Sequence, residues 1–187
     1  ISLMGYKAWQ SLEESKILQL DLIPLSQGTS ILPEDSREYS RPIQALPDSQ
    51  QRYLLPRSLL TALHRFRSTR NIQDVASSVR AMCDSESDRL DSELSMIRYI
   101  AWAIPSIGFL GTVRGIGQAL GQAHKAVQGD IAGVTQSLGI AFNSTFVALL
   151  ISIFIMFLMH QLQLAQERLV LDAEDYCDNR LIRHLQT

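Results

Sequence analysis

The sequence is poor in the residues from which most active sites are built, and its few candidates do not cluster. Its 187 residues include two cysteines, Cys83 and Cys177, and four histidines, His64, His124, His160 and His184, without HxxH or Cys/His ligand spacing. No metal site is expected from them, and the two cysteines read as free thiols. There is no nucleophile elbow, no P-loop and no GxGxxG after a strand, which removes the common hydrolase, NTPase and dinucleotide-binding readings and leaves no cofactor to expect. Aromatic residues make up 7% and the formal charge is -2, with no aromatic-interleaved basic patch, so nothing points to nucleic acid. The opening ISLMGYKAWQSLEESKIL lacks the basic region and the small-residue cleavage site of a signal peptide. Because it begins at Ile1, further sequence is expected upstream.

The widest absence is of charge. No Asp, Glu, Lys or Arg occurs between residues 99 and 113, nor between 131 and 166. A mean hydropathy just above zero averages a polar, proline-bearing first half with this apolar second half. The first stretch, continued to 119 or 123, has the roughly 20 residues a bilayer core requires; the second is longer than required. Arg114 interrupts the first near its far end, where its side chain can reach the headgroups or serve a function. Arg80, Arg89 and Arg98 precede the first stretch and Arg168, Arg180 and Arg183 follow the second, against Lys125 alone in the turn, so both flanks are expected in the cytoplasm.

The chain divides accordingly. Residues 1–20, with Leu3, Tyr6, Trp9, Leu12 and Ile17 at near-helical spacing, predict an amphipathic cytoplasmic helix that continues a membrane helix lying before Ile1. Pro24, Pro33, Pro42 and Pro47 make 21–54 a loop. Helix resumes near Leu55 with Pro56 in its first turn and Leu59, Leu60, Leu63 and Phe66 on one face; after a break around 68–71, Val75, Val79, Cys83, Leu90, Leu94 and Ile97 carry a second helix through 55–96. The charges of DSESDRLDSE belong on its solvated outer face. Spans at 97–123 and 133–160 flank a turn at 124–132 on the far side, and 161–187 extends the last helix with Leu162, Ala165, Leu169, Ala173, Tyr176 and Leu181 on one side. The fold class is an all-α membrane protein with long helices that extend into a cytoplasmic bundle.

Both spans line up small and hydroxyl residues. Gly108, Gly111, Thr112, Gly115 and Ala119 share one face of the first; Gly133, Ser137, Ala141, Thr145, Ala148 and Ser152 share one of the second, with Asn143 and Ser144 beside it. Close helix packing asks for such a face, and so does a water-containing path. Periodicity favours packing and leaves both open. Pro105 kinks the first span or marks its entry. Neither span holds a carboxylate, so any proton carrier has to come from another chain.

IPSIGFLGTVRGIGQAL and SLGIAFNSTFVALLISI resemble the second and third membrane helices of the MotA/TolQ/ExbB proton-channel family, through Pro105, Gly108, Gly111, Thr112 and Gly115 and through Ala141 and Thr145. The resemblance is strong over about 95–163. It implies a homopentamer around a dimer of a single-span partner with a membrane Asp, in which proton flow drives rotation. It implies that Thr112 and Thr145, with Ser144, Asn143 and Arg114 nearby, line the ion path, and that Pro105, Gly108, Gly111, Gly115, Ala141 and Ala148 pack the helices. Arg114 departs from the large apolar residue common there, and 22–52 has no counterpart. The alternative is a non-conducting helical membrane scaffold; a membrane-attached enzyme has no constellation to support it.

Overall fold

A computed structural model describes residues 2–18, 22–23 and 30–186, with the side chains of Ser2 and Leu3 outside the description. The helices are α1 (Ser2–Leu18), α2 (Ser36–Gln44), α3 (Asp48–Gln51), α4 (Leu54–Thr69), α5 (Ile72–Gly121), α6 (Ala123–Val127) and α7 (Ala132–Arg180), with a 3₁₀ turn at Ile182–His184. Among the described residues there is no strand, only a bridge between Ile31 and Leu185. The chain forms two compact units, one of residues 2–92 and 162–187, the other essentially of Glu93–Gln161. It is an all-α protein in which α5 and α7 are long and apolar enough to cross a membrane.

The first unit is organised by an apolar core in which Leu55, Leu59, Leu63 and Phe66 of α4 meet Val75, Val79 and Cys83 of α5 and Val170, Ala173, Cys177 and Leu181 of α7. The α4–α5 break falls at Arg70, whose left-handed backbone (φ 53°) ends α4, while the Asn71 side chain accepts the Gln73 and Asp74 amides at the start of α5. Both cysteines are free and buried; burial pushes the Cys83 thiol up to about 11 and the Cys177 thiol higher, so neither is a nucleophile at neutral pH.

Two expectations fail here. The loop of 21–54 contains α2 and α3: Pro47 falls just before α3, where a proline is tolerated, and Pro42 lies inside the short α2 without preventing it. Pro24 lies outside the described residues. The inward face of α1 is also not the aromatic one. Tyr6, Trp9 and Leu12 are 61%, 56% and 62% exposed, while Met4 and Ile17 are buried. What faces inward instead is Glu14, whose carboxylate accepts the Leu54 amide at 2.6 Å and so caps α4 from outside.

Glu86 corrects a third. The sequence pattern puts it with its neighbours on the solvated face, yet it is 6% exposed, because it falls on the row Val79–Cys83–Glu86–Leu90 that faces the core. Arg57 bonds it at 2.8 Å and Arg89 bonds its other oxygen. Burial pushes the Glu86 carboxyl up, but the Arg89 and Arg57 hydrogen bonds outweigh it and hold the group below its ordinary 4.5. Glu14 goes the other way: burial raises it more than the Leu54 amide lowers it.

In the second unit the usual pattern is inverted, with small residues inside and large apolar ones outside. Ala101, Gly108, Gly115 and Ala119 of α5 and Ser137, Ala141 and Ser152 of α7 are buried, whereas Trp102, Phe109, Phe142, Phe146 and Phe154 are exposed. A Cβ on Gly108 would stand 2.5 Å from Ala148 Cβ, and one on Gly115 2.5 Å from Ala141 Cβ and 3.0 Å from the Ser137 carbonyl, so the backbones are in contact at both levels. Between α5 and α7, Gly129 takes the left-handed backbone (φ 95°) that lets the turn close, and Asp130 accepts the Ala132 amide at the start of α7.

Pro105 lies inside α5 without interrupting it. Having no amide hydrogen, it cannot bond the carbonyl four residues back, which is that of Ala101. Ser152 of α7 supplies the missing donor: its hydroxyl bonds the Ala101 oxygen at 3.1 Å in a buried setting.

Three expectations follow from these contacts. Ser152→Ala should cost about 1 kcal/mol in detergent unfolding, and adding Pro105→Ala should recover part of it by restoring the helix's own donor, a coupling readable in a double-mutant cycle. Gly108→Val should lower the unfolding midpoint by the equivalent of about 2 kcal/mol or more, while Gly117→Val, with open space around it in the chain, should leave the unfolding of the monomer nearly unchanged. For the carboxylates the signs differ. Glu86, depressed, contributes stability that is present above 4.5 and lost as pH falls through its lowered value; Glu14, raised, contributes stability present below 4.5 and lost as pH rises through its raised value. Thermal melts at neutral pH should therefore show Glu86→Gln destabilised by about 1–2 kcal/mol and Glu14→Gln stabilised, the Glu14 difference shrinking as pH falls toward 4.5 and the Glu86 difference only below 4.5.

Candidate functional site

Between the two levels of backbone contact the two helices exchange a cluster of hydroxyl hydrogen bonds. Thr112 follows Gly108 by one turn of α5, and Thr145 precedes Ala148 by one turn of α7, so the glycine contact fixes both side chains across the interface. The hydroxyls are hydrogen-bonded to each other. Thr145 donates to the Gly108 carbonyl at 2.9 Å, and the Thr112 oxygen lies 3.2 Å from the Ala141 carbonyl and 3.4 Å from that of Gly108. Ser144 completes the row, donating to Ala141 at 2.8 Å; a Cβ on Gly111 would stand 2.6 Å from its hydroxyl oxygen.

Proton counting shows what this group can do. Two hydroxyls have two protons. With the Thr145 proton on Gly108, the Thr112 proton goes to Thr145, to the Ala141 carbonyl or, more distantly, to that of Gly108. In the second arrangement the Thr145 oxygen is free to accept from a third group. Both residues are half-buried, so the pair remains reachable. A threonine hydroxyl does not ionise near neutral pH; the pair can orient or relay a proton but cannot store one.

The remaining candidates separate by side. Arg114 and Asn143 are each two residues from a threonine, which turns them to the far side of their helices, and both are exposed without a hydrogen bond to the pair. Gly108, Gly111, Thr112, Gly115, Ala141, Ser144, Thr145 and Ala148 therefore come together, and Arg114 and Asn143 do not join them. Pro105 is half-buried and acts through the Ala101 carbonyl it leaves open. The Ser152 bond to that carbonyl is the contact the sequence reading missed. Its signal was available: a proline in a membrane helix frees the carbonyl at i−4, and a serine on the facing small-residue row can reach it. Among the described residues no group of three or more His, Cys, Asp or Glu side chains could hold a metal.

A family model described as the MotA/TolQ/ExbB proton channel family matches residues 50–175. Neither the curated proteins nor the solved structures give a significant match. The match covers both spans, the threonine pair and most of the first unit's core. The chain is therefore a membrane protein that belongs to the MotA/TolQ/ExbB proton channel family.

Proposed function

We infer that this chain is the channel-forming subunit of a proton-driven motor in the bacterial inner membrane. Five copies surround a dimer of a single-span partner, and proton flow through the partner's membrane Asp drives rotation or force transmission across the envelope. The observation that carries this reading is a reachable hydroxyl pair, Thr112 and Thr145, in spans that hold no carboxylate. Such a pair suits a carboxyl brought in by another chain: it can donate to the ionised Asp and accept from the protonated one, easing both states of the carrier. Ser144 extends the polar row, and the glycine and alanine contacts hold the wall rigid. Arg114 and Asn143, on the outer sides of their helices, belong to contacts between subunits or with headgroups rather than to the threonine step. The arginine-rich flanks support placing both described ends in the cytoplasm. The chain's part is non-enzymatic.

One observation favours a second reading, a non-conducting scaffold: both hydroxyls already have partners inside the chain. The two readings part on one variant. Thr145→Val should abolish partner-dependent proton flux in proteoliposomes while native mass spectrometry of the complex still records five copies with two of the partner; Thr145→Ser should retain flux. Unchanged flux in the valine variant, with weaker assembly, would establish the scaffold instead. A monomer or dimer in the mass spectrum would remove the motor reading altogether.

A further inference from the structure

The threonine step leaves unused a cleft of about 570 Å³ between α2 and α4, wholly within the first unit. Its charge is of one sign. Arg37 and Arg41 stand one turn apart on α2, and His64 and Arg67 one turn apart on α4, all four lining the cleft, with no carboxylate in the lining. Among the described residues none of the three arginines is in an ion pair; Glu38, on α2 itself, pairs with none of them. Like charges gathered along two facing helices repel one another, and the fold gains nothing from them unless an anion sits between.

A second, independent feature lies in the same lining. Ser36, in the first turn of α2, is 3% exposed, and its hydroxyl has no hydrogen-bond partner. The other hydroxyls are committed: Ser40 donates to the Arg37 carbonyl at 2.9 Å and Thr61 to the Arg57 carbonyl at 2.8 Å. A buried donor left open is costly and is normally satisfied by a ligand or water. Ser36 lines the same cleft as the three arginines, whose planar forks match phosphate oxygens two at a time.

We propose that the α2–α4 cleft binds a phosphate-bearing ligand, held by Arg37, Arg41 and Arg67 and hydrogen-bonded by the Ser36 hydroxyl. Three guanidinium groups suit a phosphomonoester or pyrophosphate group of two or three negative charges. The volume admits a ligand of metabolite size. The cleft has no Phe, Tyr or Trp in its lining, and its charge directs recognition to the phosphate. A soluble phosphate compound and an anionic lipid headgroup present the same chemistry. The site is built from residues remote in sequence from the threonine pair, and it holds or falls independently of the channel reading.

The full chain in phosphatidylcholine nanodiscs, titrated calorimetrically with inorganic pyrophosphate at constant ionic strength, tests the proposal. Binding should weaken by more than about tenfold when the exposed Arg41 and Arg67 are both changed to Glu, and by about threefold in Ser36→Ala, with helix content by circular dichroism unchanged. Adding phosphatidic acid to the nanodiscs separates the sources: competition with pyrophosphate in the wild type, absent from the double variant, assigns the site to a headgroup, and undiminished binding assigns it to a soluble compound. Equal isotherms for the wild type and the double variant would overturn the site. So would poly-glutamate binding without pyrophosphate binding, which would make the cleft a docking face for an acidic protein segment.

Discussion

The membrane-spanning unit depends on the absence of side chains at two positions. With a Cβ at Gly108 or Gly115, α5 and α7 could not sit in backbone contact, and every polar feature between them requires that contact. A threonine side chain is short: its hydroxyl reaches a carbonyl on the neighbouring helix only if the backbones touch. Thr145 reaches Gly108, Thr112 approaches Ala141, and Ser152 reaches Ala101 for this one reason. The glycines thus set the register of a polar seam. In lipid, where apolar burial gives no preference for one helix partner over another, such a seam is also what makes the pairing specific.

Much of this was legible in the sequence, because small residues at three- and four-residue spacing in an uncharged run have few physical explanations. Periodicity placed Gly108, Gly115, Ala141, Thr145 and Ser152 on two faces, and the resemblance paired Thr112 with Thr145. What periodicity could not supply was the division between the two sides of each helix. Asn143 and Arg114 are near the threonines in sequence, but two residues of helix turn a side chain more than half-way round. Proximity along the chain therefore does not bring them to the threonine pair. The role of Pro105 was hidden for another reason: a helix break and a helix held by an outside donor look alike until the donor is identified.

The first unit shows the limits of reading charge as surface. Glu86 lies in a run of acidic and basic residues that looks solvated throughout, and its neighbours Asp84 and Asp88 are indeed exposed. A stripe at four- and three-residue steps nevertheless carries Val79, Cys83, Glu86 and Leu90 inward, and two arginines compensate the burial. Glu14 is the complementary case, a carboxylate that gives up solvent to cap α4. The apparent amphipathicity of α1 pointed the other way because Tyr6, Trp9 and Leu12 recur with Ile17 at near-helical spacing. Only the position of the Leu54 amide decides which face turns inward.

These arrangements place the two kinds of proton chemistry in different parts of the molecule. The carboxylates Glu14 and Glu86, whose titration burial and arginines shift, are in the first unit. The spans hold hydroxyls and carbonyls, which pass or orient a proton without keeping it. A carboxylate built into the wall would be fixed against one set of neighbours, and its affinity for a proton would be set once by that environment. In the proposed motor, a carboxyl carried by a separate chain would move between the threonine pair of one subunit and the space before the next, so its affinity would change with position. For coupling proton movement to rotation, that change is the physical requirement, and a wall without its own carboxylates is the form that permits it.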